Sequence, residues 1–356
     1  MSEKIQKTSN KLTNSNLPTA NSSIDNNEQP GIIEVYADNF KQEIKNMSSL
    51  LEEFNYIGMD TEFPGTVYCI TNYTPDFYYR TMKLNIDCLK LIQLGITLTN
   101  SKGEYPKNYP YHTWQFNLEF DISKDKYSQN SLNLLINSGI DFNKLKKKGI
   151  KHKEFAEYLM ISGLVLNPDI YWVSFHGSYD FGYLLHLLIN APLPENENDF
   201  TNELTIFFPN HYDIRILVQG NEKLQGGLNK LAQYLDILRE GKTHQAGSDS
   251  VVTIDVFFKL LKNGSVDKER LEMDKNILYG LGFGKDDEET IMYTKFGNSI
   301  PFNLNQNLIY MPTMNAINYY QYQNNQMVMV GNNLNIRNER KGNNNNNNII
   351  SPNKVP

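Results

Sequence analysis

Four acidic residues and one histidine, placed in three short segments, carry the clearest chemical signal of this chain. Asp60 and Glu62 lie in YIGMDTEFPG, Asp180 lies in WVSFHGSYDFGYLL, and Asp249 follows His244 by five residues in HQAGSDSVVTIDVFF. Carboxylates beside apolar runs are costly to bury unless a cation or a proton compensates them. Because a shared divalent metal site would explain all three placements, the pattern predicts metal-dependent hydrolysis of a phosphodiester.

Each segment, taken alone, also has a simpler structural explanation. Residues two apart on a strand project from one face, so Asp60 and Glu62 would point together and Thr61 would point the opposite way; solvated acids at a strand end fit the same pattern. Asp180 and Asp249 each stand at the start of an apolar helical stretch, where aspartate is a common cap. His244 can reach the same site as Asp249 only from a loop, in which the sequence also places Gly247. If the acids cluster, some should hold a proton at raised pKa when metal is removed.

Charge and composition restrict the possible functions. The net charge of the 356 residues is −6; residues 301–356 carry +3 and residues 1–30 carry none, so residues 31–300 carry −9. An acidic domain cannot hold nucleic acid by bulk positive potential, so RNA contacts should be local and cation-dependent. The chain has no apolar run long enough for a membrane span and no apolar signal segment, and its two cysteines favour an intracellular location.

Low-complexity ends flank the domain that carries these segments. Residues 1–30 form an Asn/Ser-rich arm and residues 285–356 form an Asn-rich tail, and both are predicted to be disordered. Between them, residues 31–284 alternate strand and helix patterns. The spacing of apolar residues predicts an amphipathic helix over residues 32–54, strands at YIGMDTEF and KLIQLGITLTN, and later helices that begin near Asp180 and Asp249. The predicted fold is an α/β domain with a mixed central sheet surrounded by helices.

The order of ten segments resembles one nuclease family. An early D-x-E, a middle Asp and a late H-x-x-x-x-D resemble the histidine subtype of the DEDD exonucleases, and the flanking residues resemble the CCR-associated-factor (Pop-type) deadenylases. The resemblance covers residues 32–284 and rests on these segments: MDTEFPG, LKLIQLGITL, WQFNLEF, SGIDF, FAEYLMISGLVL, SFHGSYDFGYLL, FFPNHYDIRIL, GGLNKLAQYLDI, HQAGSDS and LYGLG. The loop at 66–81 and the order of small residues before Asp180 depart from the family pattern.

The resemblance implies an RNase H-like fold and a 3′→5′ exoribonuclease that shortens poly(A) and releases 5′-AMP. It assigns two divalent ions, Mg²⁺ or Mn²⁺, to Asp60, Glu62, Asp180 and Asp249, with Asp60 between both ions, and it assigns the general base to His244. The ordinary pKa of an imidazole, about 6.5, suits that role near neutral pH. Two aromatic residues beside these acids, Phe63 and Phe181, are further candidates for substrate contact.

The resemblance also implies partners and a location. The expected partners are poly(A) RNA, the NOT scaffold and a second deadenylase subunit of the CCR–NOT complex, without a membrane. The expected location is the cytoplasm, including mRNA-decay granules, with the nucleus as a second site. Two alternatives stay open from sequence alone: a docking module of that complex whose chemistry is dispensable, and an exonuclease of the same superfamily that acts on DNA.

Overall fold

Six strands and eleven α-helices make up the part of the chain that a computed structural model describes, which is residues 31–70, 76–239 and 241–281. The strands are β1 (Ile32–Val35), β2 (Tyr56–Glu62), β3 (Gln93–Thr99), β4 (Thr113–Asn117), β5 (Tyr171–Ser174) and β6 (His211–Asp213). The helices are α1 (Phe40–Ser48), α2 (Phe77–Ile86), α3 (Gln129–Ser138), α4 (Phe142–Lys148), α5 (His152–Ile161), α6 (Ser178–Ile189), α7 (Glu197–Phe207), α8 (Ile214–Leu217), α9 (Leu228–Tyr234), α10 (Ala246–Lys262) and α11 (Lys268–Met273), with a 3₁₀ turn at Glu222–Leu224. The arm 1–30 and the tail 285–356 lie outside these residues, so their disorder stays a prediction. In the described ranges, no helix has both the length and the apolar character needed to cross a bilayer.

The strands form one mixed sheet in the order β1-β4-β3-β2-β5-β6. β2 and β4 run antiparallel to β3, whereas the pairs β1–β4, β2–β5 and β5–β6 are parallel. Glu62 at the end of β2 is paired with Gln93 at the start of β3, which is paired with Asn117 at the end of β4. We call this side of the sheet the Glu62 edge. The predicted mixed sheet with surrounding helices is confirmed.

Apolar layers cover both faces of the sheet. On one face, α1, α2, α5 and α6 pack in a cluster that includes Ile57 and Met59 of β2; on the other, α8, α9 and α10 pack around Val252 and Ile254. Helix α10 approaches the sheet closely at two glycines. A Cβ on Gly58 would lie 2.5 Å from the carbonyl oxygen of Ser250, and one on Gly95 would lie 1.9 Å from that of Ala246. These glycines let the amino end of α10 lie directly on β2 and β3.

The predicted amphipathic helix over residues 32–54 is wrong in its first part. Ile32–Val35 is strand β1, which pairs in parallel with β4, and α1 begins only at Phe40. The amide of Tyr36 donates to Oδ1 of Asn39 over 2.8 Å, which forms a turn between the two elements. The two end residues of β1, Ile32 and Val35, are buried, whereas Ile33 and Glu34 between them are more exposed. Pairing with β4 decided the conformation of a segment whose apolar spacing also suits a helix.

Candidate active site

The two acids of β2 share the face of the sheet that α10 covers. Gly58, two residues before Asp60, faces α10, so Asp60 and Glu62 project to the same side. Thr61 points to the opposite face, as predicted. Its hydroxyl donates to Oδ1 of Asp180 on α6 over 2.5 Å. The acids from the two faces therefore meet around the end of one strand.

Asp180 lies in the first turn of α6 but does not cap it. The N-cap residue is Gly177, and no side chain caps this helix. Asp213, at the end of β6, fixes the turn before α6: its carboxylate accepts the amides of His176 over 2.7 Å and Gly177 over 3.1 Å. The same buried carboxylate accepts the amides of Arg215 and Tyr279 over 2.9 and 3.0 Å. Four N–H donors replace the water that this carboxylate loses, so Asp213 positions the turn that presents Asp180.

His244 reaches the site from a loop, as the sequence required. Its φ is +60°, and its amide donates to Oδ2 of Asp249 over 3.0 Å, so the two residues lie side by side. Gly247, predicted in the same loop, is instead helical because α10 begins at Ala246. Side chains of the sheet satisfy the first helical amides: the amide of Gly247 donates to Oε1 of Gln115 over 2.8 Å. The helix therefore starts earlier than its own sequence indicates.

Arg239 belongs to the site, although no pattern in the sequence points to it. Its guanidinium forms an ion pair with Asp249 and also donates to Asn229 on α9 and, over 3.1 Å, to Oγ of Ser248. Burial and neighbouring carboxylates raise the pKa of Asp60, and the positive charge of Arg239 partly opposes that rise. The spacing between Arg239 and Asp249 does not predict that they meet, because a loop and the start of α10 separate them. Only the folded structure brings Arg239 to the acids.

Burial is the main cause that raises the pKa values of three of these acids. Burial first, and then the negative charges of Asp249, Asp180 and Glu62, raise the pKa of Asp60 well above its usual range. Burial and the charges of Asp249 and Asp180 raise the pKa of Glu62 to about 8. Burial raises the pKa of Asp180 to about 6 against the hydrogen bond from Thr61, which favours the ionised form. The expected protonation of metal-free carboxylates is confirmed in direction.

The donor set fits hard divalent cations. Glu62, His244 and Asp249 each offer a ligand atom, and these atoms lie within 4.8 Å of one another. They line a cavity of about 360 Å³ together with Asp60. Asp180 is outside the lining and reaches the group through Thr61 and through its charge on Asp60. Carboxylate oxygens with one imidazole suit Mg²⁺ or Mn²⁺. The carboxylates still repel one another, so the single positive charge of Arg239 does not neutralise them.

The two aromatic candidates for substrate contact differ in exposure. Phe181 is 0% exposed and packs against Trp172, Phe208 and His211, so its predicted contact with substrate is wrong. The Phe181 side chain lies on the face of α6 that packs against the core. Phe63 is half-buried, and its ring stacks on Tyr179 with centroids 5.3 Å apart. Its contact with substrate stays a prediction.

Comparison with known proteins identifies relatives over most of the described domain. Residues 35–159 match the model of the CAF1 family ribonucleases. The probable CCR4-associated factor 1 homolog 7 of Arabidopsis thaliana is 45% identical over 259 residues, which span 70% of this chain and 93% of that protein. The poly(A) ribonuclease pop2 of Schizosaccharomyces pombe is 40% identical over 257 residues, or 70% of this chain and 75% of that protein.

Solved structures agree with these relatives. The Mg²⁺- and Mn²⁺-bound form of S. pombe Pop2p matches with a TM-score of 0.66 and 39% identity, over 70% of this chain and all of that one. Yeast CAF1, solved with the MIF4G domain of NOT1, matches with a TM-score of 0.61 and 32% identity, over 70% of this chain and 96% of that one. These matches confirm the RNase H-like fold expected from the resemblance. With acids, histidine and fold in agreement, the chain belongs to the CAF1 family of ribonucleases.

Proposed function

We propose that this ribonuclease shortens poly(A) from its 3′ end and releases 5′-AMP. The observation that carries the proposal is the convergence of Glu62, His244 and Asp249 within 4.8 Å, beside Asp60, in a cavity of about 360 Å³. A cavity of that size holds a small ligand such as one nucleotide. The 40% identical pop2 protein is a poly(A) ribonuclease, which supports poly(A) as the substrate of this chain.

The residues of this chain divide the work of hydrolysis. Asp60, Glu62, Asp180 and Asp249 would hold two divalent cations, which supply Lewis acidity and stabilise the charge that develops on the phosphate oxygens. His244 is exposed at the cavity and takes the proton of the attacking water. A hydrogen bond of 3.0 Å from the backbone amide of His244 to Asp249 holds this histidine beside the cavity. The bond between phosphorus and the 3′ oxygen of the preceding nucleotide then breaks.

Other residues that line the cavity supply the contacts to the nucleotide. Phe175 and Leu228 are apolar and line the cavity, and Asn229 adds a polar amide that also accepts from Arg239. An apolar wall favours stacking of a base over hydrogen bonding to its edge. Phe63 remains a candidate for a contact just outside this cavity.

The partners follow from the relatives. A yeast CAF1 with 32% identity was solved with the MIF4G domain of NOT1, which supports a NOT scaffold as partner of this chain. The second deadenylase subunit, the cytoplasmic location with mRNA-decay granules, and the nuclear location stay predictions. Binding of purified chain to a NOT MIF4G domain, measured by calorimetry, tests the scaffold.

The decisive experiment follows 5′-labelled oligo(A) with purified protein and Mg²⁺ or Mn²⁺. We expect stepwise shortening from the 3′ end with release of 5′-AMP, and loss of more than 95% of the rate in Asp60→Ala with an unchanged circular dichroism spectrum. The matched control is Asp169→Ala, an exposed aspartate outside the acid group. No shortening with either metal would favour a docking module. Faster hydrolysis of deoxyribo-oligo(A) than of oligo(A) would favour the DNA-directed alternative.

A further inference from the structure

Six exposed lysines form a basic surface on an otherwise acidic domain. They fall within ten residues at the end of α4 and the start of α5, whereas residues 31–300 carry a net charge of −9. We call this surface the lysine patch, and its members are Lys144, Lys146, Lys147, Lys148, Lys151 and Lys153. This cluster of positive charge is a local exception in a domain whose net charge is negative.

Internal contacts account for only part of the lysine patch. Lys146 pairs with Asp121 over 3.0 Å, Lys148 pairs with Asp38 over 3.4 Å, and Lys144 lies over the ring of Tyr36 at 4.0 Å. Lys147, Lys151 and Lys153 form no ion pair with any residue in the described ranges. These three are available to an external anion.

Helix stability does not explain the last two lysines. Lysines in the final turn of α4 complement the negative end of its dipole. Lys151 is instead the N-cap residue of α5, and Lys153 lies in its first turn, where a positive charge is unfavourable. The same helix begins with an acid, Glu154, in that turn. The basic residues at this position therefore have a cost for folding and need another explanation.

The lysine patch lies on the Glu62 edge of the sheet. Glu62 is paired with Gln93, Gln93 with Asn117, and the amide of Ile150 donates to the carbonyl oxygen of Asn117 over 2.9 Å. Ile150 stands between Lys148 and Lys151. Three strand spacings of about 4.8 Å place this segment roughly 14 Å from Glu62. The acids and the segment between α4 and α5 therefore lie at the same end of the strands.

A second set of contacts joins the loop of His244 to the segment that leads into α4. Nε2 of Gln245 donates to the carbonyl oxygen of Ser138, at the end of α3, over 3.1 Å. The ammonium group of Lys242 lies against Gly139, three residues before α4 begins. Lys242 thus adds a cation beside the segment that leads into α4.

We propose that the lysine patch binds backbone phosphates of single-stranded RNA on the 5′ side of the nucleotide in the cavity. The inference rests on the proposed function. A distance of roughly 14 Å is spanned by a few nucleotides of a single strand. A linear polyanion whose 3′ end lies among the acids has to leave the cavity, and the lysines on the Glu62 edge offer charge complementarity along the way. This continuity with the cavity favours RNA over an acidic protein surface.

The test compares two sets of three charge reversals. The patch variant is Lys147→Glu, Lys151→Glu and Lys153→Glu, and the last two changes favour the start of α5. The matched control is Lys102→Glu, Lys262→Glu and Lys268→Glu, three exposed lysines, of which Lys102 follows the far end of β3 and Lys262 ends α10. Helix α10 places Lys262 about 24 Å from the amino end of that helix at the site.

Binding is measured by anisotropy with 5′-labelled oligo(A) of twenty nucleotides, between 50 and 300 mM KCl, on protein inactivated by Asp60→Ala. We expect the patch variant to raise Kd at least tenfold at 50 mM and to reduce the slope of log affinity against log salt by about two, since each lost phosphate contact contributes about 0.7. The control should stay within twofold. In catalytically intact protein, the patch variant should raise KM for the twenty-nucleotide substrate and leave hydrolysis of a trinucleotide within twofold.

Three results would overturn the proposal. Equal loss of affinity in both variants would indicate a general charge effect, and an equal loss on the trinucleotide would indicate damage to the cavity. Unchanged RNA affinity would leave the lysine patch to an acidic protein partner. Failure of the proposed function would look different, because unmodified protein would then hydrolyse neither length of oligo(A).

Discussion

Removal of divalent metal should make the stability of this protein fall steeply with rising pH. The burial of Glu62 beside Asp249 and Asp180 raises its pKa from the ordinary 4.5 to about 8 in the folded state. The folded protein then holds a proton that the unfolded chain releases above pH 4.5. Stability from this group is present at low pH and is lost as the pH rises from about 4.5 to about 8.

The size of the effect follows from the two pKa values of Glu62. Between pH 6 and 8.5 the folded state loses about 2–3 kcal/mol relative to the unfolded chain from this group alone. Asp180, with a pKa of about 6, loses most of its contribution below pH 6 and adds little in this interval. At an m-value of roughly 2.5 kcal/mol/M, the urea midpoint should fall by about 1 M.

Urea unfolding in EDTA at pH 6 and 8.5, followed by circular dichroism, measures this shift. Glu62→Gln removes the titrating group at nearly constant volume, so this variant should lose most of the pH dependence and be the more stable protein at pH 8.5. Adding Mn²⁺ at pH 8.5 should restore the midpoint of the unmodified protein, because the ion binds only the folded acids. A midpoint that is flat with pH in EDTA, or an equal slope in Glu62→Gln, would refute the electrostatic account.

Two further predictions concern the elements that hold the site. Gly95→Ala should lower kcat about 100-fold and destabilise the fold by about 1–3 kcal/mol. The added Cβ would lie 1.9 Å from the carbonyl oxygen of Ala246 and would push the amino end of α10 outward. Steady-state kinetics and urea unfolding check this, and an unchanged kcat would contradict it. Arg239→Met should tighten Mn²⁺ binding roughly tenfold by calorimetry, because the guanidinium paired with Asp249 opposes a second cation. Weaker binding would show instead that Arg239 holds Asp249 in its ligating position.

Sequence reasoning reached the residues whose types are chemically distinctive. The period of two along β2 correctly placed Asp60 and Glu62 on one face and Thr61 on the other. The loop position of His244 followed from the helical angle that would otherwise separate it from Asp249. These inferences depend only on local geometry, which the sequence encodes directly.

What the sequence could not supply depends on contacts between distant segments. Arg239 joins the acids through a loop whose path has no local pattern, and Asp213 acts through backbone amides that any residue could offer. The exposure of Phe181 was misjudged because an aromatic residue beside an acid fits either side of a helix. The strand at Ile32–Val35 was missed because its partner, β4, lies far along the chain. Tertiary pairing overrode local preference in each case.

The hydrogen bonds that Asp213 accepts have a consequence for the synthesis of the protein. One of its four amide donors belongs to Tyr279, close to the last described residue, and another belongs to the turn ahead of Asp180. A ribosome must therefore translate almost the whole domain before that turn is secured, and His244 and Asp249 also emerge late. A nascent chain that holds only the early acids has no means to cut RNA.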